Sequence, residues 1–264
     1  MKIIDFHAHA FPDSLAEKAM PRLEEEGNIK ASLDGRLTSL LESMDRAGIA
    51  KSVVSSIATK PSQFQSIFEW SKSITSERII PFPSIHPSDS EVLHRIDAIG
   101  RAGFKGIKMH PYYQGFVLDE QRMLPLYERI SDRALILLVH TGFDIAFERK
   151  RIADPERIVR IVESFPDLKL VTSHFGAWED WQQVEKMLVG KPIYMDISYS
   201  FEFMDREVAR RILTSHPQDY LLFGTDSPWG DQENTLGLVR DMNLTEQRLY
   251  AILSSNAVRL LGSD

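Results

Sequence analysis

The sequence predicts one (β/α)8 barrel spanning residues 1–264, a distorted TIM-type fold closed by C-terminal helices. Three observations predict it. Short apolar runs alternate with amphipathic helical segments from end to end. No composition shift or low-complexity linker interrupts them. Six of the eight histidines fall just after the apolar runs, at the strand ends where a barrel gathers its active site. An open doubly wound sheet shares the alternation, but no Gly-rich phosphate loop follows the first strand to favour it.

The strand-like runs cover residues 3–6, 52–57, 79–82, 106–109, 135–139, 168–172, 193–197 and 220–223. The fifth, Leu135-Ile136-Leu137-Leu138-Val139, is apolar at every position, as expected of a parallel strand covered on both faces. Between the runs, Leu37, Leu40, Leu41 and Met44 repeat at helical spacing and Gly48 is placed to end that helix. Ile158, Ile161, Val162 and Phe165 repeat the pattern after Asp154-Pro155, expected as N-cap and first helical residue. Residues 119–132 are helical in pattern, with Pro125 required to start, kink or break the helix. Short helices are expected at 245–253 and 255–261.

Composition narrows the function. A net charge of −7 argues against a nucleic-acid surface, and the basic run Arg149-Lys150-Arg151 is too short to change that. The chain has no cysteine, which excludes disulfides and thiolate metal sites. No apolar run approaches the ~20 residues of a membrane span. A cytoplasmic protein acting on a small molecule, without nucleic acid or membrane, is the expectation.

His7 and His9 follow strand 1, and His86, His110, His140 and His174 follow strands 3, 4, 5 and 6. Side chains at i and i+2 of an extended chain project to one side, so His7 and His9 can share an ion. Neutral imidazole suits Zn²⁺, Fe²⁺, Mn²⁺ or Co²⁺, with further ligands and an open water position. Asp5, one step deeper on the same face, is placed to orient a ligand histidine from behind. His86-Pro87 reads equally as a strand cap through a backbone hydrogen bond. His216 lies on the opposite side of strand 8 and reads as structural. Asp226, closing strand 8 in Gly224-Thr225-Asp226-Ser227-Pro228-Trp229, faces the histidines as a general base and metal ligand.

These pieces resemble the amidohydrolase superfamily, in particular the amidohydrolase-related branch that includes aminocarboxymuconate-semialdehyde decarboxylase. The motifs Ile4-Asp5-Phe6-His7-Ala8-His9, Phe104-Lys105-Gly106-Ile107-Lys108-Met109-His110-Pro111, Val139-His140-Thr141-Gly142, Ser173-His174-Phe175-Gly176 and Gly224 to Trp229 occur in the family's order across nearly the whole chain. Asn256-Ala257-Val258-Arg259-Leu260-Leu261 is similar to its C-terminal helix. The resemblance implies a mononuclear divalent centre, usually zinc, held by His7, His9, His140 and Asp226. It implies His174 as the catalytic histidine at the reacting oxygen, with Asp226 as the second catalytic group. Lys108 stands where some members carry a carbamylated lysine bridging two metals. Since His110 takes the strand-end place, an unmodified Lys108 supporting the substrate beside His110 is expected, with one ion. The resemblance also allows a homodimer. TatD-type nucleases need a strand 4 glutamate that is absent, and the polymerase and histidinol phosphatase motifs do not match.

Hydrolysis of a small amide, ester or lactone by metal-activated water is the expected reaction, with Asp226 moving the proton and His174 stabilising the oxyanion. Non-oxidative decarboxylation of a small unsaturated or aromatic acid is the alternative, and a non-catalytic metal-binding barrel a second one. Decarboxylation calls for a cation on the carboxylate. Arg149, Lys150 and Arg151 are the nearest after strand 5, though a solvated turn describes them more simply. Tyr112, Tyr113, Trp178, Phe201 and Trp229 are candidates to line an apolar pocket. The short connections leave little room for a large lid, which suggests a small substrate.

Overall fold

The computed structural model describes residues 1–262. Eight strands alternate with helices: β1 Ile3–Ala8, β2 Ile49–Ser55, β3 Ile79–Phe82, β4 Gly106–Met109, β5 Ile136–Val139, β6 Lys169–Thr172, β7 Tyr194–Asp196 and β8 Leu221–Leu222. Every pairing is parallel, in two ladders of order β1-β2-β3 and β4-β5-β6-β7-β8. Backbone hydrogen bonds cross both seams. Lys108 N donates to Pro83 O at 3.0 Å, and Phe6 N donates to Phe223 O at 2.7 Å. The last strand therefore returns to the first, as a barrel requires and an open sheet does not.

The all-apolar fifth run is explained by two cores. Ile136 and Leu138 point inward with Ile4, Phe6, Val53, Phe82, Val171 and Leu222, while Leu137 and Val139 pack outward under the helices. Ala257, Leu260 and Leu261 of the C-terminal helix Asn256–Leu261 join the inner cluster and plug the barrel floor. Gly106 is dictated by this packing: a Cβ there would stand 2.4 Å from the Phe82 ring.

Some local expectations change. Gly48 caps Leu37–Ala47 in the left-handed conformation as expected. Pro125 starts rather than kinks its helix, Leu124–Asp132. Asp154 precedes Pro155–Ser164 without a side-chain cap bond, because its carboxylate pairs with Arg157 at 3.1 Å. The pattern at 245–261 becomes Glu246–Tyr250, a π-helical turn Ala251–Ser255 and Asn256–Leu261. Helix Asp13–Gly27, with Pro21 inside it, was not expected: a proline amid charged residues hides its period. No helix among the described residues is long and apolar enough to cross a membrane.

Candidate metal centre

At the C-terminal end of β1, His7 Nε2 and His9 Nε2 lie 3.2 Å apart. Asp226 Oδ1 completes a triangle, 3.3 Å from His7 Nε2 and 3.1 Å from His9 Nε2. Ligands ~2.0–2.2 Å from one ion in tetrahedral or octahedral geometry stand roughly 3.0–3.5 Å apart, so the triangle fits a divalent cation. The far ring nitrogens fit it too. His7 Nδ1 contacts Asp196 Oδ2 at 2.8 Å and His9 Nδ1 contacts the Ser55 carbonyl at 2.8 Å. Both acceptors call for a proton on Nδ1, leaving Nε2 bare for a metal.

Asp226 is delivered by the backbone. Its N–H donates to His7 O at 2.7 Å, and its φ of 59° turns the chain sharply after β8. Asp5 holds that turn: it accepts from Thr225 Oγ1 at 2.6 Å, Thr225 N at 3.0 Å and Gln232 Nε2 at 2.7 Å. The expectation that Asp5 orients a ligand imidazole is thus corrected, since its carboxylate meets the loop and the His7 amide (3.2 Å) but no ring nitrogen. Burial pushes the Asp5 pKa up to about 7 despite these donors. Burial alone would also raise Asp226, but the neighbouring His7 and His9 hold its carboxyl well below the usual carboxylate range.

The side chain that orients His7 is Asp196, at the end of β7 and fully buried. Its Oδ1 also accepts from His174 N, Ser198 N and Ser198 Oγ at 3.1, 3.0 and 2.5 Å. Asp196 is not picked out by the sequence reading, although it stands, like Asp5 in β1, as a carboxylate inside an apolar strand, Ile193-Tyr194-Met195-Asp196-Ile197.

Lys108 is 1% exposed, and its Nζ lies 2.8 Å from His7 Nε2. Burial lowers its pKa to about 8, against the opposing pull of Asp226 and Asp196. Burial and then Lys108 depress His7 to about 4. The Lys108 ammonium donates here to the His7 Nε2 lone pair; a cation in the triangle would take that lone pair and leave the ammonium to another acceptor.

His140 does not join the triangle. Its Nδ1 lies 3.1 Å from His174 Nε2, and its Nε2 is 2.8 Å from the Phe143 carbonyl. His174 is fixed on the other side by Ser198 O and Oγ, both at 3.1 Å from Nδ1. His140 belongs instead to a second group with His110 and Asp144. The two rings stack at 4.1 Å with 13° between planes. Both Nε2 atoms reach one Asp144 oxygen, Oδ2, at 3.3 Å from His110 and 3.5 Å from His140, so the two rings share that carboxylate. Burial lowers the pKa of both histidines. Asp144 escaped notice in the sequence although it stands only four residues after His140.

Other candidates sort themselves. His86 takes the capping role, accepting from Ser88 N at 3.1 Å. Trp178 packs on the His174 ring at 5.6 Å and Tyr113 on His110 at 4.8 Å. Phe201 turns instead to Phe175 in the core. Trp229 anchors the Asp226 turn through its backbone, with N–H to Asp226 O at 3.0 Å and its carbonyl to Ser32. Among the described residues no ring or polar contact ties its indole to the histidines. Tyr199, stacked on Trp178 at 5.6 Å, was an aromatic the sequence did not single out. Arg149, Lys150 and Arg151 form a solvated turn paired with Glu179, Glu148 and Asp180.

A family model described as Amidohydrolase matches residues 4–263. The fold is similar to the crystal structure of an uncharacterized TIM-barrel protein from Bordetella bronchiseptica, with a TM-score of 0.82 and 21% identity over 99% of each chain. It is also similar to 2,6-dihydroxybenzoate decarboxylase from Rhizobium (TM-score 0.72, 12% identity, 99% of each chain). A third likeness is 5-carboxyvanillate decarboxylase from Sphingomonas paucimobilis (TM-score 0.70, 12% identity, 100% of this chain and 99% of the other). A comparison with curated protein sequences finds no match.

Proposed function

The chain belongs to the amidohydrolase family, and from that premise we propose that it is a metal-dependent, non-oxidative decarboxylase of a small aromatic or unsaturated carboxylic acid. The observation that carries this reading is Lys108. It is the buried ammonium beside the metal triangle, whereas the cations after β5 are exposed and already paired. The fold likeness to two decarboxylases of aromatic acids is in keeping with it.

A divalent cation held by His7, His9 and Asp226, zinc or else manganese, iron or cobalt, would supply Lewis-acid polarisation of the substrate's oxygens. Lys108 binds the substrate carboxylate from the barrel interior. Tyr199, half-buried and stacked on Trp178, would present the aromatic surface for an unsaturated ring or chain. As the carbon–carbon bond breaks, its electron pair stays on the substrate carbon and the carboxylate leaves as neutral CO2. A proton must then reach that carbon, and His174, in contact with Trp178, is the donor. Water exclusion favours the step, because the charged carboxylate is the species burial penalises.

Hydrolysis is the second reading, supported by the place of Asp226 Oδ1 between the two Nε2 atoms, where it could take a proton from water. The test is a screen of metal-loaded protein, its metal identified by elemental analysis. Hydroxybenzoates and unsaturated acids are assayed for CO2 release, and lactones, amides and esters for hydrolysis. CO2 release abolished by Lys108→Met is the expected result. Ester, amide or lactone turnover with no CO2 from any acid would overturn decarboxylation.

A further inference from the structure

The mouth is nearly covered: Lys108 and His7 are each 1% exposed and His174 3%, while the His9 and Asp226 side chains keep 11%, so a substrate must pass the loops that rim it. The connection from β5 to helix Pro155–Ser164 is the longest strand-to-helix connection of the barrel, contrary to the expectation that all connections are short. Its neck is closed by Gly142 N donating to Ala153 O at 2.8 Å. Its base is pinned to the β6 loop by Phe143 N to Trp178 O at 3.0 Å and Trp178 N to Thr141 O at 2.8 Å. Gly142 is obligatory there: its φ is +89°, and a Cβ would stand 2.0 Å from Trp178 N. Such a loop, tied at the neck and packed by its own side chains, is an Ω-loop.

Beyond the neck, the tip is held lightly. Phe147 rests on Tyr113 and Tyr112 at 4.9 and 5.3 Å but remains 36% exposed. The ion pairs of Arg149, Lys150 and Arg151 are solvated, and surface pairs of that kind contribute little. Asp144 differs. Its Oδ1 accepts from Ala146 N at 2.8 Å, which shapes the turn, while its Oδ2 reaches inward to His110 and His140.

We propose that Asp144 is a positioning residue carried on this cover, so that closing the loop and setting His110 and His140 are one event. With the carboxylate in place, the proton of each ring sits on Nε2, since two bare acceptors would otherwise face each other. His140 then presents a bare Nδ1 to His174, and the orientation of His174 passes through it. With the loop open, both rings lose their common partner and the mouth admits substrate. The inference rests on the mouth being the reactive site, as in the proposed decarboxylase, and holds for either reaction there.

The experiment uses full-length, metal-loaded protein and the Asp144→Ala and Asp144→Asn variants. Trypsin cleavage after residues 149–151, read by fragment mass, reports opening. It should be about tenfold faster in Asp144→Ala, because cleavage tracks the open population. Asparagine, whose amide oxygen still accepts, should restore most of the protection. Nitrogen-15 spectra of labelled histidines report the second half. His110 should carry the Nε2–H signature in the wild type and lose it in Asp144→Ala, whereas His140, which also faces the Phe143 carbonyl at 2.8 Å, keeps its own, and metal content stays unchanged. Equal cleavage rates and unchanged imidazole signals in Asp144→Ala overturn the proposal. A wild-type spectrum with His110 and His140 protonated on Nδ1 overturns it without any variant. Neither readout needs turnover, so a failed decarboxylase screen is distinguishable from a failed cover.

Discussion

The floor and the mouth of the barrel are built from the same eight strands and obey opposite rules. At the floor, Ile4, Phe6, Val53, Phe82, Ile136, Leu138, Val171 and Leu222 interlock with the C-terminal helix. At the mouth, the next inward positions are His7, Lys108, His140, His174, Asp196 and Asp226, buried almost as completely. Burial at the floor is favourable in itself. Burial at the mouth is tolerable where polar atoms meet partners of opposite character, as His7 Nδ1 meets Asp196, and the three acceptors that converge at His7, His9 and Asp226 mark the place where a cation would supply that partner. Stability should therefore reside below and chemistry above, with weak coupling between them.

The sharpest way to break that division is His9→Ala. It removes one corner of the metal triangle at a part-buried position, so turnover should fall below detection and bound metal should drop below stoichiometry by elemental analysis. Chemical unfolding of metal-free protein should barely change. Large loss of metal-free stability would mean that the mouth holds the fold together. The converse is Phe82→Ala. Phe82 is fully buried, meets Phe6 edge-on at 5.9 Å and fills the space that Gly106 vacates. Its truncation should cost about 3–5 kcal/mol by denaturant titration, while the metal stoichiometry of folded protein stays unchanged.

The two regions also differ in how far the sequence discloses them. The floor is legible because the all-apolar run of β5 and the Leu260-Leu261 pair show their burial in the sequence itself. Part of the mouth is legible for another reason: His7, His9, His174 and Asp226 stand at strand ends, and a barrel brings all strand ends together, while Lys108, inside β4, was singled out by the family resemblance. Asp196 and Asp144 were not, because a carboxylate acquires its role only from the ring nitrogen it meets, and those partners are 189 and 34 residues away for Asp196–His7 and Asp144–His110. His140 shows the opposite case, a position legible from its strand end whose ligand role the sequence does not decide. Its strand-end position is right, but the Phe143 carbonyl and Asp144 draw its Nε2 away from the triangle.

A titration sharpens the comparison from the floor side. His216 is fully buried, donates from Nε2 to Ile193 O at 2.8 Å and, among the described residues, has no partner for Nδ1. Burial lowers its pKa to about 4. An unfolded histidine binds its proton near pH 6.5, before the folded one does, so stability is complete above that pH and is lost as pH falls toward 4. The loss attributable to His216 is roughly 3 kcal/mol. Denaturant midpoints between pH 7 and 4.5 should fall less steeply in His216→Gln. Parallel curves would show that His216 does not govern the acid limb.

The smallest expected effect lies at the boundary between the two regions. Asp196 is the carboxylate behind His7, and it also collects the His174 and Ser198 amides, so it serves the mouth from a position inside the barrel wall. Asp196→Asn keeps the volume and an oxygen for the amides but removes the charge that favours a proton on His7 Nδ1. Metal affinity should then weaken by about 10–100-fold, the usual consequence of altering the partner of a ligating histidine. Metal-free stability should change far less than in Phe82→Ala, and competition with a chromophoric chelator measures the affinity directly. If affinity is unchanged while metal-free stability collapses, Asp196 is a structural cross-link between β7 and β1, and the line between floor and mouth must be drawn one residue higher.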